Sequence, residues 1–316
     1  MRKYLILLVF IAAVSCEPNP EVKPGYIVGD IRPLGMKAEP VEAVPGDMIT
    51  LSMLIGGRTF SQGSDLKISW LGLEELTIPY TKPLIFPVPE NLEELMPADS
   101  DNPQASLFID NFNKNGFADL PVTASFETPV PGRSETRTLT VTKTVRIYKE
   151  LPEDGVRKNP VIDHVLASYE IYGSVKSFEI EDGGFISFSI SQVPETIIFR
   201  SIPLSQEETG WDRLNFAWFF TSDTGELLEN DMEVELDRKK YGDAVPEDQK
   251  ATQNREYFAL SFKPVLEEIE ESKIKLPVKF NFYHIIRDKA IDAQSSADYR
   301  WGQDFMWFEI EITEDE

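Results

Sequence analysis

The sequence predicts an all-β protein made of two sandwich units in tandem, and three observations carry that prediction. Short segments of alternating apolar and polar residues are separated by clusters of Pro, Gly, Asp and Asn, the pattern of half-buried strands joined by turns. A set of four such segments recurs in the same order in the second half of the chain, as an internal repeat would. Hydrophobic residues make up 41% of the chain and aromatics 11%, which supports packed cores rather than disorder.

At the N-terminus, Arg2 and Lys3 precede the apolar run Tyr4 to Val14, and the small Ser15 closes it. A basic head followed by a run this short describes a secretory signal over residues 1–15, not a membrane-spanning helix. The ending Ala13-Val14-Ser15-Cys16 resembles the lipobox of bacterial lipoproteins, although Ala13 stands where leucine is usual. The resemblance implies that the Cys16 sulfur is acylated and becomes the new N-terminus, with several chains holding the protein to a membrane leaflet at about 0.8 kcal/mol per buried methylene. Ordinary signal-peptidase cleavage at the same bond is the alternative, since Ala13 and Ser15 also satisfy a small-x-small rule. Cys16 is the chain's one cysteine, and its place at the first mature position favours lipidation. Residues 16–26, with three prolines between Glu17 and Pro24 and no periodicity, read as the lipidated tether. The expected location is the Gram-negative cell envelope, at the outer membrane or surface rather than the inner membrane.

Loss of residues 1–15 removes Arg2 and Lys3 from the 31 basic residues, leaving 29 against 54 acidic ones and a net charge of −25. Such a chain is repelled by nucleic acid and by anionic headgroups, so nucleic acid is not an expected partner and membrane contact falls to the lipid. With Cys16 consumed, no disulfide can form within the chain, and stability must come from hydrophobic burial.

The first unit is expected over residues 27–150 and the second over 161–316, joined by a linker at 151–160 where Leu151-Pro152-Glu153-Asp154-Gly155 breaks all periodicity. A linker this short implies some packing between the units. The repeat matches Gly46–Met53 with Gly183–Ile190, Leu66–Trp70 with Leu214–Trp218, and Leu120–Phe126 with Leu276–Phe282. Each half closes on an alternating strand, Leu139–Tyr148 and Phe305–Ile312. Period-two spacing places Ile49, Leu51 and Met53 on one face, against Ile68 and Trp70. Helix is expected only in connections, at Pro89–Met96 and Pro264–Lys273, each opening on proline.

A core-facing tryptophan in the third strand, Trp70 and Trp218, resembles immunoglobulin-like β-sandwich domains, without the paired cysteines of antibody domains. The layout as a whole resembles lipoproteins of Gram-negative bacteria that carry tandem domains of this kind. The matching features are an opening strand such as Ile31–Pro40, then Val44-Pro45-Gly46-Asp47, and a late hairpin bearing Arg287-Asp288. This resemblance implies no particular activity. Arg287 and Asp288 are expected to pair locally at the hairpin mouth, as a surface interaction worth at most about 1 kcal/mol.

The sequence offers little chemistry. Cys16, His164 and His284 cannot supply a zinc cluster, and both histidines read as structural or surface residues. No nucleophile elbow, metalloprotease helix or phosphate loop occurs. Paired carboxylates for glycoside hydrolysis are the catalytic class hardest to exclude in so acidic a chain. One stretch, Asp110-Asn111-Phe112-Asn113-Lys114-Asn115-Gly116-Phe117-Ala118-Asp119, resembles a calcium loop. Asp110, Asn111, Asn113, Asn115 and Asp119 would be the oxygen ligands, and calcium the one cofactor to consider. The twelfth position, Val122, lacks the usual glutamate, and an Asn-Gly turn is the competing reading. In the second unit Tyr299, Trp301 and Gln303, within Tyr299–Asp304, could make a sugar platform, with Trp307 packed in the core.

The function expected is therefore a lipid-anchored, exported structural or protein-binding module without catalysis, acting through Cys16 lipid and an envelope protein. A carbohydrate-binding lipoprotein using the second unit, with a glycan as partner, is the alternative. An undetected hydrolase is the third.

Overall fold

The computed structural model describes residues 32–57, 65–70, 74–79, 83–92, 103–129, 134–153, 158–204, 214–223, 234–235, 257–271, 273–288 and 302–315. The signal segment, Cys16, the tether, Tyr299 and Trp301 lie outside the described residues.

In the N-terminal half the elements are β1 (Arg32–Glu39), β2 (Glu42–Ala43), β3 (Met48–Gly56), β4 (Asp65–Trp70), β5 (Glu74–Pro79) and β6 (Leu84–Pro87). They are followed by α1 (Pro103–Asn115), β7 (Phe117–Pro129) and β8 (Thr136–Tyr148). The C-terminal half continues with β9 (Ile162–Ile171), β10 (Ser174–Ile180), β11 (Gly184–Ser189), β12 (Thr196–Pro203), β13 (Leu214–Ser222), β14 (Val234–Glu235) and β15 (Tyr257–Ser261). It ends with α2 (Lys263–Glu270), β16 (Val278–Asp288) and β17 (Gln303–Thr313). The protein is mostly β, as the alternation predicts.

Among the described residues the strands form four sheets, β1-β3-β6 and β2-β8-β7-β4-β5 in the first half, β10-β9-β12-β15-β14 and β11-β17-β16-β13 in the second. The two halves share a core strand order, β1-β3-β6 corresponding to β9-β12-β15 and β2-β8-β7-β4 to β11-β17-β16-β13, with β5, β10 and β14 added at sheet edges. In each, a short strand (β2 or β11) lies parallel to the last strand (β8 or β17), whereas the other pairings are antiparallel. In each, a helix connects the strand before it to the penultimate long strand.

This order corrects part of the repeat. Leu66–Trp70 and Leu214–Trp218 occupy corresponding places in β4 and β13, as do the later matched segments in β7 and β16 and in β8 and β17. Gly46–Met53, however, lies largely in β3, antiparallel to β1, whereas Gly183–Ile190 contains β11, parallel to β17. The counterpart of β3 is β12. Both mismatched segments follow a glycine turn and alternate, and alternation records which face is buried but not which strand lies alongside.

Each half has its own core. The first gathers Met36, Ile49, Leu51, Ile68, Leu120, Phe126 and Ile147, with Met53 packed against them. The second is dominated by aromatics: Phe199, Phe258, Phe282 and Phe308 are fully buried, and Trp218 joins them. The Phe282 and Phe308 rings stack at 5.1 Å and 8°, and Phe199 lies 5.1 Å from Phe282. Offset and tilted ring pairs of this kind add to what burial alone provides.

α1 is a helix the sequence reading did not place. Pro103 opens it, Ala105, Phe108 and Phe112 are buried at helical spacing, and Ile109 packs beside them. Gly116 ends it at φ +77°, with its N–H bonded to the Phe112 carbonyl at 3.0 Å, the left-handed helix stop that favours glycine. Of the helix expected at Pro89–Met96, residues 89–91 are not helical, Leu92 is in a 3-10 turn, and residues 93–96 lie outside the described ones. α2 forms where expected, with proline in its first turn.

The two halves meet on the outer face of the β11-β17-β16-β13 sheet. Leu34 and Leu54 from β1 and β3 pack on Tyr283 and Ile285, with Ala217, Phe219 and Phe305 around them. Gly56 permits this approach, because a Cβ there would stand 2.8 Å from Leu34 Cδ1 and 2.9 Å from the Tyr283 ring. Hydrogen bonds surround the apolar contact. Lys37 Nζ donates to Asp304 Oδ1 at 2.9 Å, and the Ile162 N–H donates to Asp304 Oδ2 at 2.8 Å. Asn159 donates to the Ala38 carbonyl at 2.6 Å and accepts from the Gln303 N–H at 3.0 Å. The expected linker thus ends inside the joint, with Asn159 and Pro160 buried.

Asp304 is only 13% exposed at its side chain, so removing its carboxylate would leave the Ile162 N–H unpaired in a half-buried site and Lys37 with only a longer contact, 4.0 Å to Glu39. Asp304→Ala is expected to cost about 1–3 kcal/mol. Calorimetry is expected to show this as a looser joint, with one unfolding transition splitting into two.

Candidate functional site

The two histidines come first because they could do acid–base work. His284, on the inner face of β16, is fully buried. It stacks 3.8 Å from Trp218, and its Nδ1 lies 3.1 Å from the Ala217 carbonyl. That carbonyl can only accept, so Nδ1 carries the proton and Nε2 accepts from the Ser201 hydroxyl at 2.7 Å. Burial pushes the His284 pKa down from 6.5 to about 3. A serine bonded to a histidine invites a catalytic reading. Both residues, however, have no accessible surface, and a carbonyl rather than a carboxylate orients the ring. The pair satisfies its polar atoms within the core. His164 lies 2.9 Å from its neighbour Asp163 on β9.

The residues of the expected calcium loop do not form a loop. Asp110, Asn111, Asn113 and Asn115 lie on α1 and Asp119 on β7. Alternate residues on a helix are about 200° apart around the axis, so side chains that would converge from an extended loop diverge here. Asn111 and Asn115, four residues apart, do share a shallow groove of ≈ 370 Å³ with Asp119, Leu107 and Phe117. Asp119 is engaged by Arg146, with Nε–Oδ1 2.8 Å and Nη2–Oδ2 3.1 Å. Among the described residues no three His, Cys, Asp or Glu side chains gather as metal ligands.

Of the sugar platform expected at Tyr299, Trp301 and Gln303, only Gln303 is among the described residues, and its part is corrected. Gln303 is buried in the joint, where its side-chain amide donates to the Met36 carbonyl and accepts from Arg287 Nε at 3.4 Å. Its polar atoms are consumed by the chain itself. Arg287 extends across to the Leu34 carbonyl at 3.1 Å, and burial lowers its pKa; the side chain of Asp288, its expected local partner, lies outside the described ones.

Trp307 is the largest departure. It was expected in the core, but on β17 it alternates out of phase with the buried Met306, Phe308, Ile310 and Ile312, and it is 37% exposed. It lies on the part of the outer sheet face that the N-terminal half leaves open. Strand register lays out that area. Tyr283 lies opposite Trp307, Asn281 and Phe185 flank Glu309 from either side, and Lys279 and Ser187 flank Glu311. Beyond Trp307 comes Gly183, whose N–H bonds the Trp307 carbonyl at 2.7 Å. A Cβ built on that glycine would only touch the indole, at 3.9 Å, so bare backbone borders the ring. Phe185 is 56% exposed. Lys279 Nζ sits 2.8 Å from Glu309 and 3.5 Å from Glu311, and 5.8 Å from the Phe185 ring centre. The hydrogen bond to Glu309 raises the Lys279 pKa, so the ammonium stays charged.

The open face therefore presents two flat rings on neighbouring strands, bordered by two carboxylates, an amide and an ammonium. It is an open sheet surface, with both carboxylates tied to one lysine, and it has no cleft for two carboxylates of opposite role. The alternation did carry a signal for it: Trp307 and Phe185 occupy the polar phase of their strands. Comparison with protein-family models and with curated proteins returns no match for this chain.

Proposed function

We propose that this protein is a lipid-anchored, exported binding module of two immunoglobulin-like sandwiches, with no catalytic step of its own. The observation that carries the reading is the joint between the halves. Side chains from β1 and from Asn159, Arg287, Gln303 and Asp304 link them, which holds the open sheet face in a fixed place relative to the N-terminal half. A surface displayed on fixed elements suits recognition. Sheet orders in which a short first-sheet strand lies parallel to the last strand support the immunoglobulin-like assignment. Consumption of the buried histidine by its own core supports a role without catalysis.

The anchor is tested by expressing the full chain and Cys16→Ser in a Gram-negative host fed an alkyne palmitate. Label on the full chain and its partition into detergent are expected, with both lost in Cys16→Ser. Equal partition of the two, without label, would overturn the lipid anchor.

A further inference from the structure

We infer that the open outer face of the β11-β17-β16-β13 sheet, centred on Trp307 and Phe185, binds a neutral polysaccharide. The inference rests on the binding-module reading and names its ligand class.

Two exposed rings on adjacent strands, rimmed by polar side chains, make a contiguous patch of the kind that marks a binding surface. Here each ring adjoins hydrogen-bonding groups already held in place. Glu309 and Glu311 share Lys279, so all three are fixed before any ligand arrives, and Asn281 stands across the strand from Glu309. Sugar rings have an apolar face of C–H groups and a rim of hydroxyls. The first matches an indole or phenyl face, and the second matches carboxylate and amide acceptors together with ammonium and amide donors. Preset polar groups also reduce the ordering cost of binding.

Spacing favours a chain over a single sugar. Trp307 and Phe185 are on adjacent strands and offset by two residues, which puts their Cα atoms about 8 Å apart for a strand spacing of about 4.8 Å and a rise of about 3.4 Å per residue. One sugar ring cannot cover both. Charge narrows the ligand further. The chain carries a net charge of −23, and Glu309 and Glu311 line the face, so a polyanionic glycan or nucleic acid would be repelled.

The test is affinity electrophoresis of the full chain in detergent through gels containing soluble starch, hydroxyethylcellulose, galactomannan or laminarin, beside polygalacturonate as the acidic control. Retardation in at least one neutral gel and none in polygalacturonate is expected. Trp307→Ala and Phe185→Ala are each expected to weaken binding at least about tenfold. Tyr172→Asn, at an exposed turn elsewhere, is expected to leave it unchanged. Circular dichroism of each variant separates lost binding from lost fold, and Phe185→Ala answers if Trp307→Ala misfolds. Absence of retardation in every neutral gel, retardation unaffected by both aromatic variants, or equal retardation in polygalacturonate would each overturn the inference. Palmitate labelling of the same preparation keeps the outcomes apart: a labelled chain that binds no polysaccharide loses the ligand and keeps the anchor.

Discussion

Phe282→Ala is expected to remove about 3–5 kcal/mol of stability, the range for truncating a fully buried aromatic ring in a packed core. Phe282 has no accessible surface. Its ring is within 6.4 Å of Phe199, Phe220, Phe258 and Phe308. Truncation therefore removes the transfer energy of a benzyl group and leaves a cavity that four rigid rings cannot close. Urea denaturation followed by tryptophan fluorescence measures it. Tyr172→Asn makes the comparison, because a side chain 87% exposed is expected to change stability by no more than about 0.5 kcal/mol. A loss below about 1 kcal/mol for Phe282→Ala would mean that these rings do not form the core.

The second large effect depends on acid. Burial holds the His284 pKa near 3, against 6.5 for the free side chain. Below about pH 6.5 the unfolded chain takes up a proton that the folded one refuses, so folding grows less favourable as pH falls. The His284 contribution is fully present above about pH 6.5. It declines by about 1.4 kcal/mol per unit until the folded ring also titrates near pH 3. Between about pH 7 and about pH 5 the loss is expected to reach about 2 kcal/mol. His284→Asn retains a donor for the Ala217 carbonyl but cannot titrate, so the difference between wild type and variant should shrink by that amount over the same interval. A constant difference would show that the ring is already protonated in the fold or reached by water.

Much of the sheet architecture was legible because alternation is a local signal. Ile310 and Ile312 announce a buried face without knowledge of what covers it. Strand neighbours were less legible, and so Gly183–Ile190 was matched to the wrong partner. The α1 helix was hidden by its own polar residues: Asp110, Asn111, Asn113 and Asn115 suggest an oxygen-rich loop, while Ala105, Phe108, Ile109 and Phe112 carry the helical period that prevailed. Trp307 was misplaced because tryptophan size suggests burial, although its phase on β17 pointed outward. Gln303, Asn159 and Arg287 could not be read at all as joint residues, since their partners on β1 are 121 to 267 residues away.

Those separations have a consequence for how the molecule comes to be folded. The surface of β1 that carries Leu34 and Lys37 precedes part of its cover by a long stretch of chain, Lys37 standing 267 residues before Asp304 and Met36 267 before Gln303. Until β17 is in place, the N-terminal half can complete its own core but must hold a sticky apolar edge uncovered. Chains cut short before β17 will keep that edge for good. Prematurely terminated products are thus marked by what they display, and quality-control factors that survey exposed apolar surface have a ready means of telling them from finished protein.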